Sequence, residues 1–509
     1  MTYLMGIDLG TSSLKVLVAT TDGRVLVSVS EAYSFDTPFN GYAEQNPEIW
    51  WIACRNCIRK ALSQISTPAS SIRSIGFSGQ MHGLVTLDAS HQVIRPAILH
   101  CDGRSVEQVE SIKSKLGRDF IAEQILNPVY TGFLLPSLLW IRDREPSHYE
   151  KIRYCLLPKD YLRFRLTGEV RSDYSDASAT LAYDIRNNCW SDAVLSALGI
   201  DPSIFPECVA LDEPAGVVSR SAADDTGLFP GTLVVAGGAD QVMQSIGNGV
   251  SDTATATINI GTSGQVCFQS DHVICNPRLN TNTFCGFEPG RWITMGAIMS
   301  AGLSFKWITK VLGASDYRTF DEEIDRVRPG SGGLLFQPYL NGERTPHVNP
   351  NLSAAFLGLN LNTGRPEMAR AVLEGVTYAL NECIDACRSL GLSADRYVAS
   401  GGGSQSPVWL QIQADIFGVP LQVAKIQEQA AIGAAIAAGV GASVFADIEE
   451  GCKSLVFYQD TVYYPDSRRH AQYKEYYSLY KEAYSAGGEV LQKITELGRS
   501  RPDAWDETR

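Results

Sequence analysis

A carboxylate flanked by apolar residues runs straight into a Gly-Thr-Ser turn at Ile7-Asp8-Leu9-Gly10-Thr11-Ser12. The same turn returns at Ile258-Asn259-Ile260-Gly261-Thr262-Ser263, with an amide in place of the acid. A tight glycine-containing turn exposes successive backbone N–H groups, and a neighbouring hydroxyl adds a donor, so each copy suits a phosphate. A carboxylate beside phosphates needs a cation between them. Magnesium takes one or two carboxylates with water and phosphate oxygens, so a lone Asp8 suits a magnesium anchor, direct or through water. Alone, Asp8 equally suits a turn-stabilising role, and each Gly-Thr-Ser an ordinary turn.

Three further groups could do chemistry. Asp240 follows an apolar run and Ala236-Gly237-Gly238-Ala239, where two glycines let a ligand approach the backbone. Phosphoryl transfer to a hydroxyl needs an aligned acceptor and removal of its proton, which a positioned carboxylate can accept. Capping the helix that follows is the competing role for Asp240. Met81-His82, inside Gly79-Gln80-Met81-His82-Gly83, joins an imidazole to exposed backbone, the directional donors and acceptors a polyol requires. A surface histidine is the alternative there. Gly401, Gly402 and Gly403 would let a flat ring lie against the main chain, or simply punctuate it.

Recognisable elements hold these residues. Leu4–Ile7 and Leu14–Ala19 are β-capable runs on either side of the first turn, and Asp22-Gly23 turns the chain again into Arg24–Val29. Alternation sends Asp8 to the face opposite Ile7 and Leu9. Asn46 and Pro47 open a helix over 45–65, and helical patterns fill much of 105–165. Strands are expected at Ile75–Phe77, Leu84–Asp88 and Leu233–Val235, with a helix after Asp240. In the second half Ala256–Ile260 and Gln265–Phe268 repeat the hairpin, and helices are expected over 297–312, 366–390 and 408–417. Tyr397–Ala399 is a strand entering the three glycines, and the tail from 468 reads as a Tyr-rich helix fraying after Gly498.

At 509 residues the chain exceeds the roughly 250–300 at which single cores stop growing, so two domains are expected. A net charge of −13 argues against a nucleic-acid surface but leaves room for an anion in a local nest. The start lacks a basic segment, and Asp8 interrupts any signal-peptide core. The Ala/Gly run over 430–446 reads as a closely packed helix rather than a membrane span. The twelve cysteines are scattered, and no histidine completes a metal set beside Cys54/Cys57 or Cys383/Cys387, so reduced thiols and a cytosolic setting are expected.

The chain resembles the FGGY carbohydrate kinases nearly end to end. The likeness rests on MGIDLGTSSLKV, SGQMHGLVTLD, RPAILHCDGRS, LLPKDYLRFRLTGE, VVAGGADQ, INIGTSGQV, NGERTPH, ARAVLEGVTYAL and SGGGSQSPVWLQIQAD, in order. It implies an α/β fold of two ribonuclease H-like domains, of the actin and hexokinase type, facing a central catalytic cleft. The expected segments are 1–248 (sugar-binding, with the first phosphate hairpin), 249–445 (nucleotide-binding) and a helical extension over 446–509. By resemblance Gly10, Thr11 and Ser12 meet the transferred phosphate, and Gly261 and Thr262 hold nucleotide phosphates. Gly401, Gly402 and Gly403 take the adenosine, Asp8 the magnesium, and Asp240 serves as base. Gln80, Met81, His82, Asp102, Arg104, Asp240 and Gln241 are the implied sugar contacts; Asp102 and Arg104 could also form a solvated turn. The implied reaction is ATP-dependent phosphorylation of D-xylulose at O5, with L-ribulose, D-gluconate and glycerol as alternative acceptors. A nucleotide-binding actin relative without catalysis is the reading from another class. The expected partners are a small sugar and ATP, with no nucleic acid or membrane, and a homodimer is a candidate assembly. Two residues depart from the pattern for D-xylulose: His100 replaces a common Trp, and Gln241 a common Asn. A third departure is Lys425–Gln429, a loose match to its counterpart.

Overall fold

Tyr3–Leu9 (β1) and Ser13–Thr20 (β2) pair antiparallel around the first Gly-Thr-Ser turn, and Val25–Ala32 (β3) adds the third strand of a meander. β1 is buried almost throughout, as a strand covered on both faces must be, whereas β3 buries Val27 and Val29 and exposes Ser28 and Ser30. The structure is a computed structural model describing residues 2–314 and 317–499. The expected fraying beyond Gly498 falls on residues outside that range, apart from Arg499, which still belongs to the last helix.

Ile72–Gly79 (β4) lies parallel to β1, followed outward by Leu233–Val235 (β6) and the edge strand Pro214–Val217 (β5). Two residues, Gly238–Ala239 (β7), continue beside the end of β4 and lead directly into the helix Asp240–Gly247 (α4). Helix α1 (Pro47–Gln64) covers β2 and β3; its N-cap Asn46 accepts from the Glu48 amide, with Pro47 in the first turn as expected. Helix α2 (Pro158–Thr167) and the single-turn α3 (Tyr174–Ala177) pack beneath the end of β4 and β7.

The repeated hairpin is Thr255–Ile260 (β8) and Gly264–Ser270 (β9). In its sheet Trp292–Ile298 (β10) flanks β9, while Arg396–Ser400 (β11) and Leu421–Val423 (β12) follow β8 on the other side in parallel. Residues 297–301, expected to be helical, instead finish β10 and turn; the helix is Gly302–Val311 (α5). Every residue from Ile293 to Ile298 is buried, so the stretch carried no inside–outside period to separate it from helix. Arg365–Arg388 (α6) and Pro407–Phe417 (α7) cover this sheet, and Ser467–Arg499 (α9) seats Tyr473, Tyr477 and Tyr480 against α6.

The compact units interleave along the chain where the sequence suggested consecutive segments. One comprises Met1–Asp252, Gln269–Ile293 and Glu428–Phe457; the other Thr253–Phe268, Thr294–Gln427 and the chain from Tyr458. The Ala/Gly run, Gln429–Gly441 (α8), therefore belongs with the first unit. Close approach explains its composition: a Cβ on Gly6 would lie 1.8 Å from the Ala431 carbonyl oxygen, one on Gly76 2.0 Å from that of Ala434. On the helix itself, a Cβ on Gly433 would meet the Met243 carbonyl of α4 at 1.9 Å. α8 thus wedges between the central strands and the helix that starts at Asp240. Among the described residues no helix is long and apolar enough to cross a membrane.

Candidate active site

In the first unit, strand register gathers the two acids. Asp8 on β1 faces Ser78 on β4, and Gly238 on β7 faces Ser78 from the other side, so Asp240 starts α4 two strands from Asp8. Ser78 Oγ donates to Asp8 Oδ1 at 2.8 Å. Both acids are partly accessible, yet protein crowds them. Burial raises the Asp8 carboxyl above its ordinary range, against the Ser78 bond and the Lys15 ammonium, which lower it. Asp240 is pushed up to about 7, first by burial and then by the charge of Asp8. The helix-cap alternative for Asp240 does not hold: Ala239 is the N-cap residue, and Asp240 is the first residue of the helix.

The Gly10–Ser12 turn has its carbonyls taken by protein donors. Tyr33 Oη donates to the Gly10 carbonyl at 2.6 Å, Gln45 Nε2 to that of Thr11 at 2.9 Å, and the Tyr33 amide to that of Ser12 at 3.0 Å. With the carbonyl edge engaged, the N–H edge is the one an anion can approach. Thr11 Oγ1 donates to Gln80 Oε1 at 3.0 Å, linking this turn to the Gln80–His82 stretch. Gln80 is 2% exposed and its Nε2 has no protein partner, a buried donor left for something else to satisfy.

Met81 is buried beside it, and His82 is held at a positive φ of 71°. The His82 ring lies 3.9 Å from that of Phe133, and Nδ1 bonds the Ala179 carbonyl at 2.7 Å. It is a fixed residue rather than a mobile surface histidine. Asp102 and Arg104 are not a solvated turn. Arg104 Nε reaches both Asp102 oxygens, at 2.9 and 3.0 Å, its Nη1 reaches Glu44 at 2.6 Å, and its guanidinium lies 3.9 Å from the Tyr42 ring. Asp102 Oδ2 also accepts from the Ala43 amide at 2.6 Å. This buried pair ties the 41–44 loop in place, and its polar atoms are spent within the protein. Gln241 follows Asp240 in α4 and hydrogen-bonds its carboxylate, lowering the Asp240 pKa against burial.

In the second unit the same turn is built differently. The Gly261 carbonyl accepts from the Gly302 amide at 2.9 Å, and that of Thr262 from the amides of Ala301 and Leu303 at 3.0 and 3.1 Å. Here the start of α5 supplies the donors that side chains supply in the first copy. Asn259 faces Gln265 on β9 and Ser400 on β11, the positions that Lys15 and Ser78 hold around Asp8. Directly after Ser400 come the three glycines. Gly401 has φ +76°, and a Cβ there would lie 2.4 Å from Asn259 Oδ1, so the glycine turn lies flush against the hairpin strand.

Among the described residues no group of three or more His, Cys, Asp and Glu side chains is disposed to hold a metal ion. Asp8 fits an ion held mostly by phosphate oxygens and water: burial penalises its ionisation, a penalty that a cation beside it would offset, and its charge in turn raises Asp240. Tyr33, Gln45 and Ser78 escaped the sequence reading. Ser78 opens the SGQMHGLVTLD segment; Tyr33 and Gln45 reach the turn only through tertiary packing and left no local signal.

Comparison with known proteins follows the same lines. The N-terminal domain of the FGGY family of carbohydrate kinases matches residues 3–247, and its C-terminal domain residues 256–442. A xylulose kinase of Staphylococcus xylosus is 36% identical over 485 residues, covering 95% of this chain and 100% of that protein. A ligand-bound xylulose kinase from Lactobacillus acidophilus superposes with a TM-score of 0.92 at 25% identity, covering 97% of this chain and 100% of that one. A gluconate kinase from the same organism superposes with a TM-score of 0.91 at 25% identity, covering 97% and 99%.

Proposed function

This chain belongs to the FGGY family of carbohydrate kinases, and from that premise we propose that it transfers the terminal phosphoryl group of ATP to O5 of D-xylulose, yielding D-xylulose 5-phosphate in xylose catabolism. The observation that carries the chemistry is the Asp8–Asp240 pair: one acid to anchor magnesium, the other left close to neutrality at about 7. A carboxyl poised near the working pH can accept the acceptor hydroxyl's proton as the bond to phosphorus forms. Magnesium, when bound, would supply positive charge that offsets that of the phosphates. Asp8 holds it, directly or through water, and Ser78 keeps the Asp8 carboxylate oriented.

The Gly10–Ser12 turn takes the transferred phosphate, and Gly261 and Thr262 take nucleotide phosphates. Gly401–Gly403 offer the main chain to the base. Gln80 Nε2, His82 and the backbone near Met81 meet the sugar, while Asp102 and Arg104 hold the loop behind them. Fold alone does not choose the acceptor, since a gluconate kinase is as similar in shape as a xylulose kinase. The choice rests on Gln80-Met81-His82-Gly83 and on the end-to-end likeness to a protein named xylulose kinase. A cytosolic location accords with twelve cysteines in the reduced state.

ADP release measured against D-xylulose, L-ribulose, D-gluconate and glycerol tests the proposal. D-xylulose is expected to have the highest kcat/KM by at least tenfold; a tenfold preference for any other acceptor would reject it.

A further inference from the structure

Helix α2 carries two buried cations that the chemistry above does not use. Lys159 Nζ lies 2.6 Å from Asp160, 2.7 Å from Asp173 and 3.5 Å from Asp176, with every one of these side chains fully buried. Arg163 Nη1 donates to Asp160 at 2.9 Å and to the Ala236 carbonyl at 2.7 Å. From Asp173 the bonds continue upward: Ser175 Oγ donates to Asp173 Oδ2 and accepts from the Ala239 amide at 3.0 Å. Ala236 and Ala239 bracket Gly237-Gly238, and Ala239 immediately precedes Asp240. Both ends of the segment that presents Asp240 are therefore hung from charged groups of one helix and its neighbour.

The fit is close. Gly237 has φ +72°, and a Cβ on Gly238 would lie 2.9 Å from Ser175 Oγ. Removing so many charges from water is costly, and apolar packing would stabilise the fold at least as well, so the cluster is better explained by the geometry it imposes. Burial, and then the neighbouring Asp173, Asp160 and Asp240, push the Asp176 carboxyl well above its usual range, against the Lys159 ammonium, which lowers it.

We propose that Lys159, Asp173 and Ser175 are positioning residues that fix the Ala236–Asp240 segment and so aim the Asp240 carboxylate at the acceptor hydroxyl. The inference rests on Asp240 acting as the base. A misplacement of about 1 Å can cost on the order of a hundredfold in rate without touching either substrate's binding contacts.

Three variants of the full chain test it: Lys159→Met, Ser175→Ala and Asp240→Asn. Ser175→Ala deletes one oxygen and leaves the buried charges intact, so it carries the test if Lys159→Met does not fold. The expected result is a folded Ser175→Ala protein whose kcat falls at least tenfold while KM for sugar and ATP stays within about threefold. Hydrogen exchange at the 236–240 amides should quicken. A folded Ser175→Ala protein with kcat within twofold of the parent, or with its loss confined to KM, overturns the positioning role. Asp240→Asn separates the two failures: nearly inactive, it leaves the base reading standing while Ser175→Ala decides the inference; active within a few-fold of the parent, it removes the base reading itself.

Discussion

The two Gly-Thr-Ser hairpins share strand register and turn, and differ in what surrounds them. Asp8 sits between Lys15 and Ser78, whereas Asn259 sits between Gln265 and Ser400, so every ionisable group of the first copy is replaced by a neutral one in the second. Asn259 Nδ2 donates to Gln265 Oε1 at 3.2 Å, closing the neutral copy on itself. The carbonyl edge of the first turn is held by side chains, Tyr33 and Gln45, and that of the second by backbone amides at the start of α5. Under the proposed function, one backbone solution for phosphate would serve two tasks: acids accompany the turn that must also manage a metal and an acceptor, and are absent from the turn that would hold phosphate alone.

The sharpest way to break that contrast is to strip the charged copy of its second acid. Asp240→Asn should lower kcat by about a thousandfold, within the span of general-base effects, with both KM values little changed in steady-state assays. Making the copies alike comes next. Asp8→Asn should cut turnover by about a hundredfold at ordinary magnesium and move the magnesium titration to higher concentration. The reciprocal Asn259→Asp should instead raise KM for ATP several-fold with kcat nearly intact; an unchanged magnesium titration in the first, or a collapsed kcat in the second, would deny the division of labour.

Gly302→Ala probes the backbone-held turn, because its Cβ would lie 2.3 Å from the Gly261 carbonyl oxygen. KM for ATP should rise about tenfold with a small loss of melting temperature, the strain of overpacking being typically about 1–3 kcal/mol. The smallest effect is electrostatic. The folded pKa of Asp240, about 7, lies above that of an unfolded aspartate near 3.8, so the folded state binds the extra proton between those values. Its stabilising contribution is complete below the lower value and disappears as pH rises through the upper one. Ligand-free Asp240→Asn should therefore lack this slope, gaining on the parent by about 1 kcal/mol between pH 5 and pH 8, since partial exposure screens the full shift. Parallel melting curves at the two pH values would disprove it.

Much of this was legible in residue order. Turn chemistry and period-two runs located both hairpins, β4, β6, β11 and the helices α1, α6 and α7 to within a few residues, because these signals are short-range. The duplication exposed Asp8 as the odd member, and Gly237-Gly238 marked the approach to Asp240. The stretch 297–301 misled because a strand buried on both faces shows no alternation. The Ala/Gly run was readable as a packed helix, but which unit it packed into was not, since small residues record close approach without naming the partner.

What the residues determined by themselves is the pair of phosphate-suited turns, the lone acid in one of them and the family they belong to. Only the tertiary structure decided which distant groups serve them: Tyr33 and Gln45 on a carbonyl edge, α8 against β1 and β4, and Lys159 and Ser175 beneath Asp240. The reason is physical. Turns and strand alternation are written in neighbours along the chain, while burial, charge balance and the aim of a carboxylate depend on side chains that sequence separates by dozens or hundreds of positions.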